Sequence, residues 1–385
     1  MVRSIAWVFG GTLVSRLLGF LRDAMIAALL GAGIAADAFL LAFQIITLIR
    51  RLLTEGALNA ALVPAWLRVR HENGEAAAAA WAGRAVASVG LIVAAAALLI
   101  GWAAPFLVAW IAPSGFSARE GFADGVAALR LMLPYLALAG PAAVLLAIAN
   151  AERRVAFAAA APGLFNLVMI AVIVAILQTG WSQREAAMTL AAGVGIAGLA
   201  QLAMLFRAGA AARPLRIDFG SQTRAMLRAA VPGMVSGAGF QLLVVIGAAM
   251  ASHEPAAVSW LYFASRLIDL PLGMIGALTG MVVMTESAHA VRGGDAAALQ
   301  RSRAAGLGLS MALTLPAALG LWMLAEPIVR AVFVRGAFGP DDAAATARAL
   351  QMLALALPAQ ALARTLAADL FAHGETRMPM IATLL

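Results

Sequence analysis

Residues 83–111 read GRAVASVGLIVAAAALLIGWAAPFLVAWI. Past Arg84 no side chain in this run ionises. A helix of about 20 residues crosses the hydrocarbon of a bilayer, so the run is long enough to span one. Similar apolar stretches recur along all 385 residues: 4–30, 36–66, 126–149, 156–178, 186–207, 224–250, 257–286, 302–325 and 343–371. Hydrophobic residues make up 63% and charged residues 12%, against roughly 45–50% and about 25% in soluble domains. Mean hydropathy is +0.93. There is too little polar surface to face water on all sides. A soluble enzyme, a nucleic-acid-binding domain and a disordered chain are excluded. The expected fold class is an all-α, polytopic integral membrane protein.

The formal charge is +8, and all 27 basic residues are Arg. Arg in the connections is lopsided. With the N-terminus inside, Arg68, Arg70, Arg84, Arg153, Arg154, Arg207, Arg213, Arg216, Arg224 and Arg228 fall among the many on the inner side. Only Arg119, Arg184, Arg330 and Arg335 fall outside. Positive charge collects on the cytoplasmic side of membrane proteins, so the N-terminus is expected in the cytoplasm. Cys is absent and the four His are scattered without metal-ligand spacing, so no metal or other cofactor is expected. The first apolar run is broken by Arg16, Arg22 and Asp23 and then resumes, which reads as a retained membrane helix and not a cleaved leader.

Segment 208–223, with RPLRIDF at its centre, is polar and basic and reads as a linker. It separates a six-helix lobe, 1–207, from a partial second lobe, 224–385. Laying 38–78 on 258–298 without a gap supports a repeat. Phe43 meets Phe263, Gly56-Ala57-Leu58 meets Gly276-Ala277-Leu278, and Gly74 meets Gly294. Six helices per copy leave both copies facing the same way, with a site expected between two pseudo-symmetric lobes.

Ionisable groups inside the spans point to that site, because each is costly in hydrocarbon unless paired or wet. The first span carries Arg16, Arg22 and Asp23. The second carries Asp37, Gln44, Arg50, Arg51 and Glu55, with Asp37, Gln44 and Arg51 at heptad spacing and Glu55 one turn on. In the span 257–286, Ser259, Tyr262, Arg266 and Asp269 share one face. Arg in excess of acid suits an anion, and its planar fork suits phosphate. A lone Arg near a helix end is commonly a snorkelling anchor; stripes on three helices imply a wet central cavity. GVGIAG (193–198) reads as a small-residue packing surface, and 115–125 as a short interfacial helix.

SRLLGFLRD (15–23), GAGIAADAF (31–39) and RRLLTEGALNAALVP (50–64) resemble the N-terminal signature of the MurJ/MviN lipid II flippases, in the multidrug/oligosaccharidyl-lipid/polysaccharide exporter superfamily. AERRVAFAAAAPGLFN (151–166), SWLYFASRLIDLPLG (259–273), VFVRGAFGPDD (332–342) and FAHGETRMPM (371–380) extend the likeness along the chain. The resemblance implies a monomeric, non-enzymatic transporter in the bacterial inner membrane. It would move lipid II, an undecaprenyl-pyrophosphate-linked disaccharide-pentapeptide, to the outer leaflet for peptidoglycan synthesis. By motif, Arg16, Arg22, Arg50 and Arg266 match the pyrophosphate-binding arginines. Asp23, Asp37, Glu55 and Asp269 match the acids that balance cavity charge or gate it. The family points to Arg50 where the helical stripe favours Arg51, and both stay open.

Ile46-Thr47 stands where the family has Pro-Asn, and Ser265 where it usually has Asp. The resemblance also implies fourteen helices. Against that pattern the chain is expected to stop inside its eleventh, at Leu385, leaving the second lobe incomplete. Membrane potential or a monovalent cation are the candidate drives. The alternatives are another exporter of the superfamily, either a polysaccharide-lipid flippase or a multidrug antiporter, and a non-transporting truncated paralogue.

Overall fold

The computed structural model describes residues 2–54, 57–111, 121–152, 154–207, 215–228, 246–293 and 296–372. These residues are helical with short connections, and they group into two compact units, Met1–Val258 and Ser259–Leu385.

The first unit holds α1 (Val2–Leu30), α2 (Ile34–Thr54), α3 (Ala57–Ile111), α4 (Gly121–Ala151), α5 (Val155–Leu177) and α6 (Gln183–Arg207). Gly31 ends α1 at φ 66°, its N–H on the Ala27 carbonyl, and glycine enters that left-handed conformation without a Cβ clash. α4 is the centre of the unit, packing on α2, α3 and α6, while α1 packs on α5. The expected loop after residue 66 is instead helix. α3 runs on to Gly74, kinks there at φ 84°, ψ 177°, and resumes as the long apolar run. Glycine takes this positive φ without the Cβ clash that other residues meet. The start of the expected interfacial helix at 115–125 lies outside the described residues, and from Gly121 onward the segment belongs to α4.

The small-residue surface on α6 is a packing surface. A Cβ on Gly193 would come within 3.0 Å of Val172, and one on Gly198 within 2.5 Å of Tyr135. The absent side chains let α6 lie directly against α5 and α4. Ser182 and Glu185 form a reciprocal cap at the start of α6: the Glu185 carboxylate accepts from the Ser182 N–H (2.9 Å) and hydroxyl (2.8 Å).

Helix α7 (Ala257–Gly293) runs from the unit boundary into the second unit, which also holds α8 (Ala296–Met323), α9 (Ala325–Phe333) and α10 (Pro340–Ala372). The VFVRGAFGPDD motif is the turn between α9 and α10. Arg335 donates to the carbonyls of Ala331 (2.9 Å) and Val332 (3.2 Å), capping α9. Gly336 turns the chain at φ 57°. The Asp342 carboxylate then accepts from the Gly339 N–H (3.1 Å) at the head of α10 and from the Trp260 indole (3.2 Å) on α7. Phe263, Phe333 and Phe338, all essentially inaccessible, meet at 5.3–5.8 Å between ring centres. α9 was not foreseen from sequence, since its nine residues are too few for a span.

Six described helical stretches are long and apolar enough to cross a membrane: Ala61–Ile111, Gly121–Ala151, Ala160–Leu177, Gln183–Arg207, Gln300–Met323 and Pro340–Leu366. Ten spans were expected. Of the other four, α1, α2 and α7 are helices that carry the ionisable groups, and most of 224–250 lies outside the described residues.

Gly198→Ala is expected to lower the thermal unfolding midpoint of the solubilised protein, because the new methyl overlaps the Tyr135 ring; overpacking of this kind costs about 1–3 kcal/mol. Gly308→Ala, where a Cβ meets nothing within 4 Å, should leave the midpoint unchanged or raise it.

Candidate functional site

The predicted residues on α1 divide. Leu13, Val14, Arg16, Leu17 and Leu21 are exposed, while Arg22, Asp23, Ile26, Ala27 and Leu30 are buried. Arg16 and Asp23, seven residues apart on one continuous helix, lie on the same side of it, Arg16 in the exposed part of its length and Asp23 in the covered part. Asp23 turns inward with the half of α1 that is covered, and Arg22 pairs with it.

Arg22 is 7% exposed and Asp23 2%. The Arg22 Nε and Nη2 both donate to Asp23 Oδ1, at 2.9 and 2.6 Å. Its Nη1 donates to Asn166 Oδ1 at 2.8 Å. Asn166 Nδ2 in turn donates to the Ser15 carbonyl at 3.0 Å. The rings of Phe43 and Phe165 lie 5.2 and 5.9 Å from the guanidinium carbon, close enough for cation–π attraction. Helices α1, α2 and α5 thus build one charged node in an apolar interior.

Asn166 was missed as a site residue. Its signal was present: it is the only polar residue of α5. An amide in an otherwise hydrocarbon helix needs partners, and here it has one on each side.

On α2, Asp37 is 3% exposed. Its Oδ2 accepts from the backbone N–H of Ala256 at 2.8 Å. Ala256 has φ 67°, a conformation that a residue with a Cβ adopts only when its surroundings enforce it. The carboxylate at the head of α2 thereby holds the strained residue that leads into α7. Gln44, Arg50 and Arg51 are half-buried along α2, so burial does not separate the two arginines. Glu55 lies outside the described residues.

On α7 the expected face is present. Ser259 is fully buried and Tyr262 nearly so. The Arg266 Nη2 donates to the Tyr262 hydroxyl (2.9 Å) and its Nη1 to Asp269 Oδ2 (3.3 Å), with the guanidinium 4.6 Å from the Tyr262 ring centre. Asp269 is half-exposed, and the Arg266 side chain is 21% exposed. Tyr262 sets edge-on to Phe263, so the aromatic cluster that holds α9 also fixes the rotamer against which Arg266 lies. Ser265 donates to its own helix, to the Leu261 carbonyl, and brings no charge where the family usually has Asp. Among the described residues, no group of three or more His, Asp or Glu could hold a metal ion.

Arg22 and Arg266, each paired with an acid on an apolar helix, are groups suited to an anionic ligand. A profile of the family described as lipid II flippase MurJ matches residues 26–385. The chain belongs to the lipid II flippase MurJ family. It is 34% identical over 387 residues to a probable lipid II flippase MurJ of Rhizobium meliloti, covering 99% of this chain and 72% of that protein. It is 32% identical over 385 residues to the corresponding protein of Rhizobium tropici, with the same coverage. Its fold matches a lipid II flippase MurJ solved in an inward closed conformation, with TM-score 0.82 at 22% identity, over 98% of this chain and 78% of that one. It also matches an inward-facing multidrug resistance MATE transporter of the MOP superfamily, with TM-score 0.81 at 14% identity, over 96% and 83%. The all-α, multi-pass membrane architecture of the MurJ family is that of this chain.

Asn166→Leu should destabilise the protein, because it leaves the buried Arg22 Nη1 without its acceptor. Such a group costs about 1–3 kcal/mol. Asp23→Ala should be more damaging than Asp23→Asn, since it strips the buried guanidinium of any oxygen on that side. Thermal unfolding and membrane yield of the three variants check this ranking.

Proposed function

We propose that this chain moves lipid II from the inner to the outer leaflet of the bacterial inner membrane. Arginines from both lobes would hold the diphosphate in a cavity that opens alternately to each side. Arg16, Arg22, Arg50 or Arg51, and Arg266 are the assigned diphosphate ligands; Asp23, Asp37, Glu55 and Asp269 orient them and limit the charge of the empty cavity. The observation that carries the reading is the state of Arg266. Its guanidinium is set by Tyr262 and Asp269 on an apolar helix and keeps part of its surface accessible, as an anion ligand requires. Arg22, gripped by Asp23 and Asn166, would contribute mainly fixed positive potential unless Asp23 releases it.

In this reading, 1–207 and 224–385 are the moving lobes and 208–223 joins them. The N-terminus faces the cytoplasm, and the chain works as a monomer. Asp37 supports the alternating motion: its hydrogen bond to Ala256 stabilises one conformation of the connection into α7 and would be released in another. No covalent bond changes, so the protein is not an enzyme. The membrane potential or a monovalent cation drives the return.

The test is a flippase-depleted bacterium carrying this protein, with labelled precursor followed at the outer face. Arg266→Ala at normal protein level is expected to reduce flipping about tenfold or more, the effect of losing one charge-assisted contact. Tyr262→Phe, which keeps the ring and removes the hydroxyl, should reduce it less. Unimpaired flipping by Arg266→Ala would remove that residue from the site.

A further inference from the structure

The linker contains a feature outside the proposed diphosphate site. Residues 215–220, LRIDFG, are not helical. They are fastened to α3 by Ser88, itself fully buried. The Ser88 hydroxyl donates to the Asp218 carbonyl and accepts from the Asp218 N–H, both at 2.9 Å. Asp218 Oδ2 lies 3.5 Å from Arg84 Nε, and Asp218 Oδ1 accepts from the Gly220 N–H at 2.8 Å. A two-way hydrogen bond fixes which residues of the strap face α3. Asp218 and Gly220 are half-buried, whereas Leu215, Ile217 and Phe219 are 52%, 59% and 42% exposed.

Three apolar side chains at alternate positions are thus held away from the helix that carries the strap. Charged residues flank them. Arg207, Arg216, Arg224 and Arg228 are all exposed, and the single acid of the strap is already taken by Arg84 and Gly220. An apolar row edged with arginines and fastened to the end of a membrane helix matches the boundary between acyl chains and headgroups. The row suits acyl carbons, and the guanidinium groups suit phosphate.

We propose that residues 215–220 form an interfacial strap that docks on anionic phospholipid, with Leu215, Ile217 and Phe219 inserted among the acyl chains and Arg216 and Arg224 on the headgroup phosphates. The proposal rests on the membrane reading of the chain and is independent of whether it flips lipid II.

The chain has no Cys, so one introduced cysteine takes a spin label at a single place. The label goes on Ile217→Cys, with Leu215→Cys as a second reporter on the same row and Glu72→Cys, exposed on α3, as the aqueous reference. The full chain is placed in phosphatidylcholine bilayers with and without phosphatidylglycerol, and collision with oxygen is compared with collision with a nickel chelate. With phosphatidylglycerol, the oxygen-to-nickel ratio at 217 and 215 should exceed that at 72 several-fold. It should fall when phosphatidylglycerol is omitted, and equally when Arg216→Gln and Arg224→Gln are combined. Nickel access at 217 equal to that at 72 would mean the strap lies in water. Shielding from both reagents would mean that protein covers it. An unchanged ratio without phosphatidylglycerol would mean that headgroup charge plays no part. Each of these three results overturns the proposal.

Discussion

A guanidinium cannot stand alone in hydrocarbon. Moving an ion of that size out of water costs several kcal/mol even after relaxation, and a partner recovers this only when the geometry is good. That constraint governs the node at Arg22. One carboxylate on the neighbouring residue takes two N–H groups, an amide from α5 takes a third, and two aromatic rings cover the faces. The packing of α1 on α5 is tied to this node, because Asn166 reaches back to the α1 backbone at Ser15 while it holds Arg22. Gly19 completes the fit: a Cβ there would come within 3.2 Å of the Asn166 amide nitrogen.

The same demand for partners is met differently at Arg266. Here two partners lie on the arginine's own helix, at i−4 and i+3, so α7 carries a preassembled charged face. Arg22 depends on a second helix as well and is covered; Arg266 takes two of its partners from its own helix and keeps accessible surface. Two arginines with equal standing in the sequence therefore differ in setting. One is suited to hold helices and field together, the other to meet a ligand that comes and goes.

Asp37 adds a third use of a buried acid. It accepts a backbone N–H from Ala256, a residue in a strained conformation. A strained conformation persists only while its surroundings enforce it. That suits a connection proposed to change conformation during transport.

Much of this was legible in the sequence. Uninterrupted apolar runs dictate membrane helices because a lipid solvent offers the backbone no hydrogen bonds, and helical spacing alone places Tyr262, Arg266 and Asp269 on one face. The glycines of 193–198 were readable as a contact surface for the same reason: period and residue size are local properties. What only the tertiary structure decided was which partners meet. Asp23 pairs with Arg22 on the covered part of α1, Asn166 crosses from α5 to complete the node, and Asp37 finds Ala256 more than two hundred residues along the chain. These depend on which half of α1 is covered and on how a distant loop returns to the head of α2. Sequence spacing carries no information on contacts made through space between separate helices.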